Sequence, residues 1–404
     1  MTGHSVTKTL YLFFGLFFSV ANAHDSAETE RLELVHADTL FGTVINRQQV
    51  QRLVGDVKFR QGDAIMTCDQ AIYYMANETV VFMGHVHVVA DQKEIFADRM
   101  EYDSDTQVQV ATGDVTLVDS SNTLTCEWMT FKRLEDQAIA RQNVVITDHE
   151  QDFKLTGSEV VYDLEKTYAQ VVGKPMFTSM DSLGMPDLTI EGEVIEMFSD
   201  GDTVQVSNQV VIERNEMVAT CRYLKYIREL DIVHLLDEPV VRQGDDFIIG
   251  ETIDILMDGT EIAGMEVRGR SFVATRVDTQ KTSDNRFNLI SGQRVSIGIR
   301  EQEVDSVAVT GQATSYFYVI ENGAERGINK IIGDKLVIYF QNGELERVWV
   351  KGDPSPSEGT FYPVDSFSIK RIEQEMAETL SQMRGKISGR DWISDANFSE
   401  PAKE

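Results

Sequence analysis

Along most of the chain, apolar and polar residues alternate in short runs. Val57-Lys58-Phe59 and Val115-Thr116-Leu117 place apolar side chains at every second position, the period of a strand with one buried face. Val, Ile, Thr, Tyr and Phe dominate the runs. Between them fall Asn77-Glu78, Asp103-Ser104-Asp105, Asp119-Ser120-Ser121-Asn122, Asp258-Gly259, Asn322-Gly323 and Asn342-Gly343. These residues accept the backbone conformations of tight turns, so each pair of runs is predicted to be a hairpin. Near the C-terminus the period changes. Ile369, Ile372, Met376, Leu380 and Met383 recur at spacings of 3 and 4, which predicts an amphipathic helix that either caps the last hairpin, covering its open edge, or binds a partner.

The runs are copies of one another. Gly55-Asp56-Val57 recurs as Gly84-His85-Val86, Gly113-Asp114-Val115 and Gln142-Asn143-Val144, each 29 residues after the last. A second anchor keeps the same step: Cys68-Asp69-Gln70-Ala71-Ile72-Tyr73, Ala97-Asp98-Arg99-Met100-Glu101-Tyr102 and Cys126-Glu127-Trp128-Met129-Thr130-Phe131. Looser copies begin at Gly157, Cys221, Gly250, Gly292 and Gly333. A period of this length means stacked units, none of which can bury its apolar face alone. The glycine lies inside an apparent long strand, where it marks a bulge or bend. A bend at the same place in every copy folds each strand across two faces. The expected fold is therefore all-β: an elongated, twisted β-jelly roll or V-shaped β-solenoid of hairpins of about 29 residues, followed by the helix.

At the strand period, Val57 and Phe59, Val86 and Val88, Val115 and Leu117, and Val144 and Ile146 share one face. The second half of the repeat adds Ala71 and Tyr73, Met100 and Tyr102, Met129 and Phe131, and Val160 and Tyr162. Such a face either fills a dry core, as in small barrels, or lines a groove left open at a seam. Alternation is common to both.

The N-terminus reads as an address. Lys8 precedes an apolar run from Leu10 to Val20 that ends in Ala21-Asn22-Ala23, the tripartite pattern of a secretory signal peptide cleaved after Ala23. The run is shorter than the ~20 residues of a spanning helix. With 66 Asp+Glu against 37 Lys+Arg and a net charge of −29, nucleic acid is excluded as an expected partner. Three cysteines without a Cys-x-x-Cys pair make neither a disulfide framework nor a zinc or cluster site. Cys68, Cys126 and Cys221 instead share the repeat position of Ala97, Gly157 and Gly250, which implies a place for small side chains only.

Other candidates for chemistry are weak. His85 and His87 flank Val86 at a spacing compatible with two metal ligands, but lone pairs of this kind are more often solvated. Asp103 with Asp105 and Asp200 with Asp202 lack the remaining ligands of a calcium loop and read as turns. No nucleophile elbow, phosphate-binding loop or His-Glu-x-x-His is present. No enzyme activity, cofactor or metal is expected.

Gly-Asp-Val, followed 14 residues later by Asp/Glu-x-hydrophobic-x-Tyr/Phe and then another Gly-x-Val, resembles the OstA-like (LptA-type) family of lipopolysaccharide-transport proteins. The best stretch is Gly55 to Asp163, and weaker copies reach Gly352. The segment from Leu336 to Val348, ending in Glu358-Gly359-Thr360-Phe361-Tyr362-Pro363, is similar to the C-terminal part of longer members. The resemblance implies a periplasmic β-jelly roll whose apolar groove carries the acyl chains of lipopolysaccharide or a related lipid toward the outer membrane. The groove would be lined by Val57, Phe59, Tyr73, Val86, Val88, Met100, Tyr102, Val115, Leu117, Met129, Phe131, Val144, Ile146 and Tyr162. It also implies contact through edge strands with other jelly rolls of the pathway, and head-to-tail self-association. The strong acidity departs from what an anionic cargo wants, because like charges repel unless screened; a groove that holds only the acyl part removes the conflict. A structural scaffold of the cell envelope without lipid cargo and a polysaccharide-binding or processing β-solenoid remain the alternatives. The expected layout is a signal peptide at 1–23, a jelly-roll array at 32–274, a β region continuing it at 287–365, a helix at 366–384 and a tail at 385–404. Breaks are expected at the Ser179–Asp187 loop and the polar stretch Thr275–Arg286.

Overall fold

Every repeat turns a corner on two consecutive left-handed residues. The computed structural model describes residues 32–388 apart from 91–92, 151, 200, 260, 278–285, 322–323, 342–343 and 354–355. The expected signal peptide, the Asn322-Gly323 and Asn342-Gly343 turns, most of the 275–286 break and residues 389–404 lie outside the described residues. Two compact units are present, Met1–Val204 and Gln205–Glu404.

The first unit holds β1 (Glu33–His36), β2 (Thr39–Ile45), β3 (Gln48–Gln61), β4 (Ala64–Tyr74), β5 (Thr79–Ala90), β6 (Lys93–Asp103), β7 (Val108–Val118), β8 (Asn122–Lys132), β9 (Gln137–Asp148), β10 (Phe153–Asp163), β11 (Tyr168–Val172), β12 (Met176–Met180), β13 (Pro186–Glu191) and β14 (Val194–Phe198). From β3 to β10 each strand pairs antiparallel with the next. β15 (Thr203–Arg214) spans the division. The second unit continues with β16 (Met217–Ile227), β17 (Ile232–Leu236), β18 (Val240–Gln243), β19 (Asp246–Ile249), β20 (Thr252–Asp258), β21 (Glu261–Arg276), β22 (Phe287–Arg300), β23 (Glu303–Glu321), β24 (Ala324–Gln341), β25 (Glu344–Lys351), β26 (Glu358–Pro363) and the helix α1 (Ile369–Ser388). All of its registered pairings are antiparallel too. The division falls inside the stretch 32–274 that the sequence reads as one array. There the corner spacing stretches from 29 residues to 31 and 35, at positions 142, 173 and 208, and β11 to β14 shrink to 5 or 6 residues, so fewer cross-strand pairs tie the array together. The expected 179–187 loop is shorter than read, because β12 and β13 pair up to Met180 and Pro186.

The corners are Gly55-Asp56 with φ of 83° and 40°, Gly84-His85 with 75° and 44°, Gly113-Asp114 with 79° and 43°, and Gln142-Asn143 with 65° and 54°. Gly173-Lys174, Asn208-Gln209, Asp237-Glu238, Gly269-Arg270 and Gly311-Gln312 continue the series with positive φ at both residues. At each early corner the register slips, as between Val54 and Val57 against β4, so one strand carries an extra residue and bends. At Gly55, Gly84 and Gly113 two things disfavour any larger residue. The left-handed region disfavours a Cβ, and a Cβ built on Gly55, Gly84 or Gly113 would lie 2.3–2.4 Å from a carboxylate oxygen of Asp38, Asp69 or Asp98. Where Gln142 replaces glycine the neighbouring acid is Glu127, and Asn143 Nδ2 donates to its Oε1 at 2.6 Å.

The small-residue position has an equally local cause. A Cβ on Gly157, Gly250, Gly292 or Gly333 would meet a Cγ of Val171, Val267, Val309 or Val350 at 2.5–2.7 Å. In the repeats that carry Cys126 and Ala97, the residue two before the next corner is Ala140 or Ala111.

In the second unit α1 lies on a cluster that includes Phe247, Phe272, Leu289, Tyr316 and Ile328. Ile369, Ile372, Met376 and Ile387 are buried in it and Leu380 and Met383 pack against it. The helix starts three residues later and ends four residues later than the 366–384 read from the sequence, running through Gly385, where glycine weakens the pattern that marks a helix. Glu375 fixes its pose: Tyr316 Oη donates to Glu375 Oε1 at 2.7 Å and Lys330 Nζ at 2.8 Å. Those two bonds hold the Glu375 carboxyl below its ordinary value.

Two tests follow from these contacts. Gly113→Ala should destabilise the protein by about 1–3 kcal/mol, the cost of a strained left-handed residue. Gly385→Ala, whose Cβ would meet nothing within 4 Å, should stabilise it by about 0.5–1 kcal/mol; urea melts compare the two, and equal effects would refute the corner argument. A carboxyl whose folded pKa is depressed contributes above its unfolded value and is lost as pH falls through the folded one. Glu375 should therefore hold α1 at neutral pH and release it on acidification below the ordinary carboxylate range. In Glu375→Gln that acid step in helical circular dichroism should be absent.

Candidate functional site

The corners divide each strand into two legs, and each leg contributes one apolar row. On the leg before the corner, cross-strand partners run Leu53, Ala71, Phe82, Met100, Ala111, Met129, Ala140, Val160, Val171 and Ile195. None exposes more than 3% of its surface. On the leg after the corner they run Phe59, Met66, Val88, Ile95, Leu117, Leu124, Ile146, Leu155 and Phe177. The rows meet: the rings of Phe59 and Phe82 stand edge to face with centroids 5.4 Å apart. The first unit thus encloses an apolar interior two rows deep, each large side chain contributing about 1.5–3 kcal/mol by leaving water.

Every residue expected to line a groove lies on these rows or beside them. Val57, Val86, Val115 and Val144 sit immediately after the corners and are buried, as are Phe59, Val88, Leu117 and Ile146 on the second row. Met100 and Met129 lie on the first row. Tyr102, Phe131 and Tyr162 are buried on a further row that runs Val80, Tyr102, Gln109, Phe131, Ala138, Tyr162 and Ala169, with Gln109 polar and half-buried. Tyr73 differs, being only half-buried beside Gln51 on β3. The sequence reading omitted the opposite strands. Leu53, Phe82, Ala111 and Ala140 keep the same step of 29, as do Met66, Ile95 and Leu124; counting back two residues from each corner would have found the first set. At the far end of the second leg the interior turns polar with Gln61, Asn122 and Asp148. There Asp119 Oδ1 accepts the backbone N–H of Ser121 and Asn122, and Asp148 Oδ1 that of Glu150.

The histidines do not converge. His85 belongs to a corner, where its Nδ1 lies 2.8 Å from Asp69 Oδ2, while His87 Nε2 is 2.8 Å from Glu94 Oε2 and its ring stacks on Phe96. No group of metal-ligating side chains occurs among the described residues. The cysteines are buried and free.

The first and last strands leave apolar surface in water. Leu34, Val35, Leu40, Phe41 and Val44 on β1 and β2 are 42–64% exposed, and those strands pair with β3. Leu345 and Trp349 on β25 and Phe361 on β26, strands paired with β24, are 45–51% exposed.

An antiparallel β repeat with a left-handed corner and a two-row apolar interior is the class of protein defined by these observations. Residues 29–171, which hold the regular corners, match the family model described as OstA-like protein. Among solved structures the chain is similar to LptH from Pseudomonas aeruginosa, described as the LptA-homologous periplasmic component of the lipopolysaccharide transport device. The identity is 14% and the TM-score 0.28, covering 36% of this chain and 95% of that one. No curated protein matches the chain.

Burial pushes the thiols of Cys68 and Cys126 up to about 11 and that of Cys221 up to about 12. A group whose folded pKa is raised supports the fold fully below its unfolded value and loses that contribution as pH rises through the folded one. Stability should therefore decline as pH rises from about 9 toward 12. At about pH 8, iodoacetamide should leave the native protein unlabelled and modify all three cysteines in urea, as read by intact mass. Fast labelling of the native chain would contradict the packing described.

Proposed function

We propose that the chain is an exported, periplasmic carrier or bridge that holds the acyl chains of lipopolysaccharide or a related lipid in its apolar interior. The observation that carries this reading is the pair of facing rows, free of charge along their length and bounded by polar residues at the end of one leg. An acyl chain needs an apolar path without specific hydrogen bonds, and cross-strand pairing supplies one. The sugars and phosphates stay in water, so the acidic surface does not oppose loading. The exposed apolar strands β1 and β2 and the edge formed by β25 and β26 suit strand addition by other jelly rolls or by a second copy. A transport protein of this kind needs no catalytic group, consistent with the absence of a catalytic motif in the sequence.

A scaffold without cargo is favoured by one specific observation, the near-complete burial of the rows. Loading then requires the interior to open along a strand boundary.

Native mass spectrometry of the protein from its own compartment separates the readings. Wild type is expected to carry co-purified glycolipid, and Val115→Asp and Phe59→Asp to lose it or to unfold, two outcomes that circular dichroism separates. A variant that keeps both fold and lipid, or a wild type that stays empty after incubation with lipopolysaccharide, sinks the carrier reading in favour of the scaffold.

A further inference from the structure

One row on the outer face of the second unit is rich in cations, although the chain carries a net charge of −29. Arg268, Arg294, Thr310, Lys335 and Lys351 stand opposite one another across β21 to β25. Like charges directly opposite destabilise a sheet, so such pairs call for a counter-charge. At the β21–β22 end the chain supplies it. Asp254 Oδ2 lies 2.6 Å from Arg268 Nη1, and Glu266 Oε1 lies 3.1 Å from Nε of both Arg268 and Arg294.

At the β24–β25 end the balance differs. Lys335 faces Lys351, and among the described residues the acid within ion-pair distance is the exposed Asp353, 3.2 Å from Lys351 Nζ. An exposed pair of that kind is worth little. Glu346 occupies the bulge between Leu345 and Arg347 and forms no ion pair with the three cations among the described residues. Aromatic rings alternate with the charges: Lys335 Nζ stands 5.9 Å over the Trp349 ring and the Arg347 guanidinium 4.6 Å over that of Tyr339. Trp349 is 45% exposed.

Lysine and arginine without a strong acid partner take phosphate oxygens through charge-assisted bonds. An exposed indole offers a flat apolar platform with a polar edge, which fits the C–H face of a sugar ring. We propose that Lys335, Arg347 and Lys351, with Trp349 as the platform, bind a phosphorylated saccharide. This rests on the carrier reading only for the source of the saccharide, a glycolipid headgroup. It gives an anionic headgroup one place to dock on a chain whose overall field repels it.

The test uses the full chain and three probes: the deacylated glucosamine disaccharide bisphosphate of lipid A, the same disaccharide without phosphates, and inorganic phosphate. Calorimetry and tryptophan fluorescence should show saturable binding of the bisphosphate, weakened by salt. Lys335→Gln with Arg347→Gln should reduce affinity roughly a hundredfold, the loss of two charge-assisted contacts, and separately Trp349→Ala should reduce it roughly tenfold. All three positions are exposed, and unchanged circular dichroism would show that the variants fold. Equal affinity for inorganic phosphate alone would overturn the saccharide assignment, and binding unaffected by the variants would overturn the site. A wild type that loads intact lipid yet ignores the disaccharide overturns this site and leaves the carrier reading standing. One that binds the disaccharide but never loads lipid supports the site and removes the carrier reading.

Discussion

The paired left-handed corner is the constraint on which the rest depends. Without it, each strand would be a single straight run with one apolar face and nothing of its own to pack against. With it, the two legs of a strand direct their inner faces toward a shared interior, as the Phe59–Phe82 contact shows. A bulge also moves register by one residue, and a slip of one residue sends every following side chain to the other face. Every second strand must therefore bulge in step, which accounts for the fixed interval between the corners from β3 to β9. Where the interval drifts, after Gln142, the strands shorten.

This dependence explains what the sequence disclosed. Gly55, Gly84 and Gly113 were legible because conformation and the carboxylate beside them leave room for no side chain, so chemistry and period coincide. Val57 and Phe59 followed by counting in twos. Phe82 and Ala111 were missed, although they share the same step, because a residue before a corner counts backward from it and a forward reading loses phase at the extra residue. The division between Val204 and Gln205 left no composition signal; it arises from short strands and reduced pairing, which are properties of contacts. The helix was clear from Ile369 to Met383, and its last turn was hidden by Gly385.

The interior and the surface follow opposite rules. Inside, size is balanced across strands: Ala71 lies between Leu53 and Phe82, and Ala111 between Met100 and Met129, so large groups interdigitate with small ones as native packing density requires. Outside, charge is balanced instead, with Arg268 and Arg294 sharing Glu266. The two rules share a backbone because the side-chain period is two. Function is read from places where one rule lapses, and the apolar residues exposed on β1 and β2 and the weakly compensated cations of β24 and β25 are such places.

Because the repeat is a hairpin, the length of the array is quantised. Adding or removing one unit changes the stack by two strands, about 10 Å, and restores the same corner, the same rows and the same pair of edges. Distances shorter than that step cannot be tuned by adding units, since a single strand would reverse the direction of the edge it presents. An array built this way can be lengthened by counting hairpins, with no new fold to discover at any length.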